Sequence, residues 1–531
     1  MFEKTSNYKT ALVSVEEGIA AMGFRRIAAV ARQIKPDTDV FFIPVGNLYS
    51  FLRHLSPTKN AGFGHNDAEL IAKTLSMYDL VCFSSMSPSM PYVTMIIDYI
   101  RKYNEKTLIL LGGVHAIICQ EEAIKPVDGI FTGEGEKSFG KFYKTFLAGE
   151  DFTKTPGMLF NIGGDLIKNE QMGLNTNSEL NSFPKQYIGL DCNIYDLKSK
   201  KIRGLTKFDY IQYYGLSYRT IWTLGCPYRC NYCANDSFIA VDKGYSKLRY
   251  AEPEYIIDEI KDACIIHPYI STIAFYDDNF IALPLDVIKE FAARYKKEIG
   301  LPFVVFGLHP NIVNEEKISA LGDAGMNRGR MGIQSGNKKM LDFYNRRTSL
   351  KKVSSSVEIL AKAAKKYNMI PPAYDIITDN PLEEREDVVG TLRFLYELER
   401  PFTLTIFGLR LFPNTALHRI FNEIDKSRYD EGRSDINKTS YLSTKPSIAN
   451  ILLYILGVFK PPRKIFEYSL RFVRGHNERQ KYHHILHFMV RAVWLGKRGM
   501  DHIIRQDFTT ISGSYLYYLW KAKLIGSKQG R

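Results

Sequence analysis

The chain lacks the features that would place it in a membrane or an oxidising compartment. No apolar run reaches the roughly 18 residues that a membrane span needs. The opening stretch MFEKTSNYKTALVSVEEG has no basic region followed by an apolar one, so a secretory signal is not expected and a reducing cytosol is. Cysteine is scarce, with seven in 531 residues. In a reducing compartment a local group of cysteines binds metal more readily than it forms disulfides. No G-x-G-x-x-G turn follows the first predicted strand, so a dinucleotide site is not expected. There is no internal repeat and no low-complexity tract. What remains is ordinary globular composition, 45% hydrophobic and 24% charged, at a length that suggests about three domains.

Three of the seven cysteines stand together. The stretch TLGCPYRCNYCANDS carries Cys226, Cys230 and Cys233, with no fourth cysteine beside them. The other four, Cys82, Cys119, Cys192 and Cys264, are scattered, and Cys82 and Cys264 lie in apolar contexts that suit inert packed thiols. A closed four-ligand zinc site is therefore poorly supported. Three thiolates on one tight loop can instead bind three irons of a 4Fe–4S cube and leave the fourth open. An open iron can take a bidentate ligand, such as the amino and carboxylate groups of a methionine moiety. Gly225 and Pro227 allow the backbone to wrap closely.

This loop, including Tyr232 just before the last cysteine, resembles that of the radical S-adenosylmethionine (SAM) enzymes. The resemblance implies a partial (β/α)6 barrel, a 4Fe–4S cluster on Cys226, Cys230 and Cys233, and reductive cleavage of SAM to a 5′-deoxyadenosyl radical. An electron donor such as flavodoxin or ferredoxin is implied with it. The downstream pattern agrees. Strand-like segments such as ISTIAFYDDNF, PFVVFGL, RGRMGIQSG, PAYDIITDNP and TLTIFGLRLF alternate with amphipathic helices over residues 205–429, which predicts parallel βα units. By resemblance, Tyr232, Asp277, Asp278, Gln334 and Ser335 are SAM-binding candidates. For Asp277 and Asp278 the alternative is capping of the next helix. Asp379, Leu382 and Asn414 stand where family members often carry glycine.

Residues 1–150 read as a separate doubly wound, Rossmann-like α/β unit with strands at KTALVSV, DVFFIPV, YDLVCFSS, TLILLGG and DGIFTGEGE. Paired with the radical SAM segment, this unit resembles the cobalamin-binding domain of cobalamin-dependent radical SAM enzymes. The resemblance assigns cobalamin contacts to Ser84, Ser85 and Met86, to Gly112, Gly113 and Val114, and to Glu134. The D-x-H-x-x-G loop that supplies a cobalt ligand in many cobalamin proteins is absent, since the first loop, SVEEGIAAMG, contains no histidine. His115 is the nearest histidine and reads as a surface residue or one that supports the site indirectly. Residues 151–204 read as a linker containing a small hairpin around GGD.

From Asp430 to Arg531 there are 18 Lys+Arg and 7 Asp+Glu, a balance of +11 in a chain whose net charge is +14. This segment reads as a basic, mainly helical C-terminal domain with five histidines in no regular metal spacing. Its short apolar stretch IANILLYILGVF and its aromatic end SYLYYLWKAKL suit either a lid over an anionic or lipid-like substrate or peripheral contact with a membrane surface. No nucleic-acid-binding motif is present. The combined resemblance implies a cytoplasmic, cobalamin-dependent methyltransferase acting on an unactivated carbon of a small or lipid-like metabolite. A radical rearrangement or ring closure, and an iron–sulfur sensor without turnover, are the alternatives.

Overall fold

A computed structural model describes residues 8–46, 62–424, 444–475, 483–505, 507 and 520–523. His476 and most of the aromatic end at 514–524 lie outside the described residues. The chain divides into two compact units, essentially up to Tyr213 and from Tyr214 on.

The first unit is built on one sheet. Five apolar, β-branched strands form its centre: β1 (Thr10–Glu16), β2 (Asp39–Pro44), β3 (Leu80–Ser85), β4 (Leu108–Gly112) and β5 (Gly129–Phe131). They pair in parallel in the order β5-β4-β3-β1-β2. Ala11, Val13, Val81, Ile109 and Leu111 are completely buried in one core with the helices that cover a face. Parallel strands covered on both faces read as continuous apolar runs, which is why all five were legible.

The expected linker is different in kind. β6 (Met158–Ile162) and β7 (Asp165–Lys168) form the GGD hairpin, and β6 adds antiparallel to β5. β8 (Asn193–Asp196) and β9 (Lys201–Gly204) extend the other edge, through β2. Residues 151–204 therefore complete a nine-stranded sheet rather than connecting two domains.

The second unit carries a six-stranded parallel sheet: β10 (Ser217–Thr220), β13 (Thr272–Phe275), β14 (Phe303–Leu308), β15 (Met326–Gln334), β16 (Ala373–Thr378) and β17 (Thr403–Gly408), in chain order. A two-stranded ribbon, β11 (Thr223–Leu224) with β12 (Arg249–Tyr250), stands after β10. β10 and β17 do not pair with each other, so the barrel is partial, as expected. Helices Pro253–Ile266, Leu285–Glu298, Glu315–Asp323, Leu350–Lys366 and Arg385–Glu397 alternate with the strands.

The C-terminal helices Ile448–Leu456, Arg463–Leu470 and His484–Ile504 pack on this same unit. The indole Nε1 of Trp494 donates to the carbonyl of Leu404 on β17 at 3.1 Å. Asn327 on β15 donates to the carbonyl of Arg505 at 2.9 Å. The orientation of the last helix is unusual. Its buried side is polar and basic, with His487, Arg491 and His502 beside Trp494. Its solvent side carries Ile485, Met489, Val493, Met500 and Ile504, each between 58% and 79% exposed.

Candidate functional site

The loop after β10 is held by its backbone before any ligand is considered. Gly225 has φ +92°, and a Cβ there would collide with the carbonyl oxygen of Lys247. The Cys226 amide donates to the Tyr245 carbonyl at 3.0 Å, which ties the loop to the segment before β12. Asn231 is bonded through its amide to the Tyr344 carbonyl and through Nδ2 to the Phe343 carbonyl. Asn345 donates back to the Arg229 carbonyl at 2.6 Å. Arg229 pairs with the buried Asp236 on the helix Ala234–Val241 that follows. These partners come from both ends of the loop, so its path is set independently of the thiols.

Among the described residues, the only trio of His, Cys or acidic ligand atoms within 4.8 Å of one another is His115, Cys119 and Glu122. Cys226, Cys230 and Cys233 are thus too widely spread for a single tetrahedral zinc, whose thiolates at about 2.3 Å from the metal would stand well inside that limit. A cube spreads its ligands more widely than a single zinc does. Arg346 reaches this loop from 116 residues away, its Nη1 3.5 Å from Cys230 Sγ and its Nη2 donating to the Gly332 carbonyl at 2.5 Å. Burial pushes the Cys226 thiol up to about 11, with the Asp278 carboxylate adding to the effect, and raises Cys233 as well. Thiols in such surroundings ionise when a metal supplies the compensating charge.

The strand ends around the loop carry the SAM candidates. Asp277 Oδ1 accepts from the amides of Trp222 and Thr223 and from the Thr223 hydroxyl. It braces β11 against β13. Its other oxygen, Oδ2, is buried without a hydrogen-bond partner, and burial pushes the carboxyl up to about 7. Asp278 is exposed, and desolvation by the surrounding protein raises its carboxyl above the ordinary range, with a hydrogen bond from Asn235 opposing it. Neither acid caps the helix Leu285–Glu298, whose first turn starts at Pro284 without a side-chain cap.

Gln334 ends β15 with φ +74° and Ser335 follows it, 1% exposed. The Ser335 hydroxyl is engaged within the protein, with Thr391 Oγ1 at 3.0 Å and the Asn337 amide at 3.1 Å. It positions the turn that carries Gln334. Tyr232 packs edge-on against Tyr344, ring centroids 5.5 Å apart, beside Leu411 and Leu417.

Two residues where glycine is frequent prove to be replacements that keep the backbone. Asp379 and Asn414 both have φ +59°. Asn and Asp tolerate the left-handed region better than other residues. Asp379 then serves a second purpose: its carboxylate accepts from Asn450 Nδ2 and from the Lys445 amide, anchoring the C-terminal helices.

Sequence reading missed Arg346 and His309, and placed Asn279 at a strand end without giving it a role of its own. His309 lies flat on Tyr228, ring centroids 3.6 Å apart at 7°. Burial holds its imidazole neutral, far below the usual range, and its Nε2 is buried with no partner. Asn279 is likewise buried with both amide atoms unpartnered. Orphaned polar atoms on Asp277, Asn279 and His309, all at the carboxyl ends of strands, are what a polar ligand such as SAM would satisfy.

In the first unit the cobalamin candidates gather at the carboxyl ends of β3, β4 and β5. Ser84, Gly112, Gly113, Val114 and Glu134 are half-buried, Met86 is exposed, and Ser85 is buried with its hydroxyl donating to the Val15 and Met86 carbonyls. The two glycines differ. Gly113 has φ +90° and sits where a Cβ would meet the Ser85 backbone at 2.8 Å, so the chain itself needs glycine there. At Gly112 a Cβ would meet only ordinary contacts, Phe131 at 3.6 Å and the Phe83 carbonyl at 3.8 Å. Small residues at this sheet edge leave the backbone accessible to a cofactor's tail.

In place of a histidine, the first loop brings Glu16, whose Oε1 accepts from the Met86 amide at 3.0 Å and whose carboxyl burial pushes up to about 8. The surface reading of His115 needs correction. It is 5% exposed, with Nδ1 3.0 Å from Ser87 Oγ, because it starts the short helix Val114–Ile118 on its inner side.

Residues 220–395 match the Radical SAM superfamily and residues 52–142 match the B12 binding domain. A Radical SAM domain and a B12 binding domain in one chain imply a 4Fe–4S cluster, SAM and cobalamin as cofactors. Among solved structures it is similar to TsrM, a radical SAM methyltransferase from Kitasatospora setae solved with tryptophan substrate and a SAM analogue. That match has 16% identity over 78% of this chain and 76% of that one, with a TM-score of 0.59. It is also similar to OxsB, a cobalamin-dependent SAM radical enzyme solved with aqua-cobalamin. There the identity is 14% over 98% of this chain and 80% of that one, and the TM-score is again 0.59. At such identities the likeness is one of fold. No curated protein matches the chain by sequence. Among the described residues no helix is long and apolar enough to cross a membrane.

Proposed function

We propose that this enzyme methylates an unactivated carbon of a small or lipid-like metabolite, with cobalamin as the methyl carrier. The observation that carries the reading is the coexistence in one chain of an open-iron cysteine loop and a B12 binding domain. When bound, the cofactors supply an oxidising radical that removes hydrogen from the substrate and a methyl group to replace it. The protein's part is to hold and exclude. Cys226, Cys230 and Cys233 ligate the cluster, and Arg346 offsets thiolate charge at Cys230. Asp277, Asp278 and Gln334 offer polar contacts to SAM, with Tyr232 and Ser335 holding their surroundings. Ser84, Gly112, Gly113, Val114 and Glu134 line the cobalamin edge, with Ser85 and Met86 beside them, and no histidine from the first loop ligates cobalt.

Product stoichiometry tests the reading. The anaerobically reconstituted enzyme, given a metabolite extract and methyl-deuterated SAM, should form 5′-deoxyadenosine and S-adenosylhomocysteine in equal amounts, with label in one product. 5′-Deoxyadenosine without S-adenosylhomocysteine would favour rearrangement or ring closure. Neither product would leave an iron–sulfur sensor.

A cytoplasmic enzyme working at a membrane surface is part of the same proposal. Support comes from the solvent side of the helix His484–Ile504, where Ile485, Met489, Val493, Met500 and Ile504 form one apolar stripe. Several of the basic residues of this helix lie on its inner side, so the contact is hydrophobic first. Co-sedimentation with phospholipid vesicles should persist at high salt and be lost in a Val493→Glu/Met500→Glu variant. A wild-type protein that stays in the supernatant at low salt would end the membrane reading.

A further inference from the structure

Beside β15 the second unit gathers three arginines, one of which has no ion pair among the described residues. Alternate residues of β15 point Arg328, Arg330, Gly332 and Gln334 to one side, while Met331 and Ile333 are fully buried on the other. Arg330 Nε lies 2.7 and 2.9 Å from the two oxygens of Asp375 on β16. Arg328 is held by Asp507 at 3.3 Å and by His502 Nε2 at 2.9 Å. The third guanidinium, Arg498 from the helix His484–Ile504, lies over Trp494 at 4.6 Å. It has no ion pair or hydrogen bond among the described residues. Asp501, one turn along, is engaged by Lys497 and Arg505 instead. Burial and the neighbouring Arg328 and Arg330 lower Arg498 to about 9, against a smaller opposing pull from Asp375 and Tyr454.

Three guanidiniums thus stand near Asp375, Asp507 and Asp501, the last already taken by Lys497 and Arg505, beside aromatic faces. Phe306 lies under both Arg328 and Arg330, and Tyr276 stacks on Phe306 at 4.4 Å. Crowded like charges in a low-dielectric interior are costly unless a counter-charge arrives. Such strain persists where binding uses it. We infer that the barrel takes a substrate bearing an oxyanion, a phosphate or a carboxylate, and that Arg498 together with Arg330 receives it, with the substrate's apolar part against Phe306 and Tyr276. This rests on the enzyme reading above and adds the substrate's chemical class to it. Arginine is the suited residue, since its planar fork matches both oxyanions.

The test is a thermal midpoint measured on the cofactor-loaded enzyme in chloride, inorganic phosphate or acetate at equal ionic strength. Phosphate or acetate should raise the midpoint above that in chloride, and the stronger of the two identifies the anion. Arg498→Gln should weaken the apparent affinity for that anion by about tenfold or more. In chloride alone, Arg498→Gln should melt no lower than the wild type, because it relieves the crowding of Arg328 and Arg330. Arg498→Lys should keep part of the response. A purely structural role predicts the reverse, a lower midpoint for Arg498→Gln with an unchanged anion response, and that result would overturn the inference. An equal midpoint in all three salts for the wild type would do the same. SAM cleavage is assayed separately, so failure here leaves the radical chemistry standing, and loss of SAM cleavage leaves the anion result standing.

Discussion

Replacing Cys226, Cys230 and Cys233 together by alanine is expected to take the protein from about four irons per chain to essentially none. SAM cleavage should fall below detection while the barrel remains folded. The separation of the two effects comes from how the loop is held. Gly225, the bond from the Cys226 amide to Tyr245, the bonds from Asn231 to residues 343 and 344, and the pair between Arg229 and Asp236 are all independent of the sulfurs. Alanine also removes thiols whose ionisation burial opposes, so apo stability should change little. Iron analysis, a visible spectrum and far-UV circular dichroism on one preparation decide the matter. A variant that retains its iron would show that other groups hold the cluster.

The second large effect concerns corrinoid. Gly112→Val should fold, because the added Cβ meets only ordinary contacts, yet fail to take up cobalamin if the cofactor's tail passes this strand end. The wild type should bind about one corrinoid per chain. Its Co(II) electron paramagnetic resonance should lack the nitrogen splitting of an axial imidazole, because the first loop contains no histidine. Gly113→Val is the necessary contrast. Its Cβ would press on the Ser85 backbone, so it should lose stability whether or not cobalamin is present. Uptake of corrinoid by Gly112→Val equal to wild type would remove the tail from this edge, and imidazole splitting would assign a ligand from elsewhere.

What could be read in the sequence follows physical lines. The parallel strands at the centre of each unit are buried on both faces, so their composition announced them. β8 and β9 were missed because NIYD and KIRG are four-residue, partly polar edge strands that become strands only once β2 is there to pair with them. Three cysteines within eight positions marked the cluster loop. Arg346 and His309 were invisible because what makes them functional is proximity across long stretches of chain. Asp379 and Asn414 read as departures from a pattern, whereas the backbone angle had been kept and only the residue changed. The basic excess near the C-terminus was legible as a number but not as a direction. Charge counts cannot say which side of a helix faces inward, and here Arg491 is buried among the protein's own residues.

The bond from Trp494 to the Leu404 carbonyl has a consequence for assembly. Among the described residues β17 pairs only with β16, so its other side offers a row of backbone donors and acceptors. Any extended peptide could add to that row, including β17 of a second copy. Trp494 occupies the Leu404 carbonyl, and Gly457 lies close to the Leu404 amide. The C-terminal helices therefore act as a guard against self-association. A chain cut before residue 444 would present a bare, apolar template and be drawn into intermolecular sheets, however intact its cluster loop and its cobalamin edge.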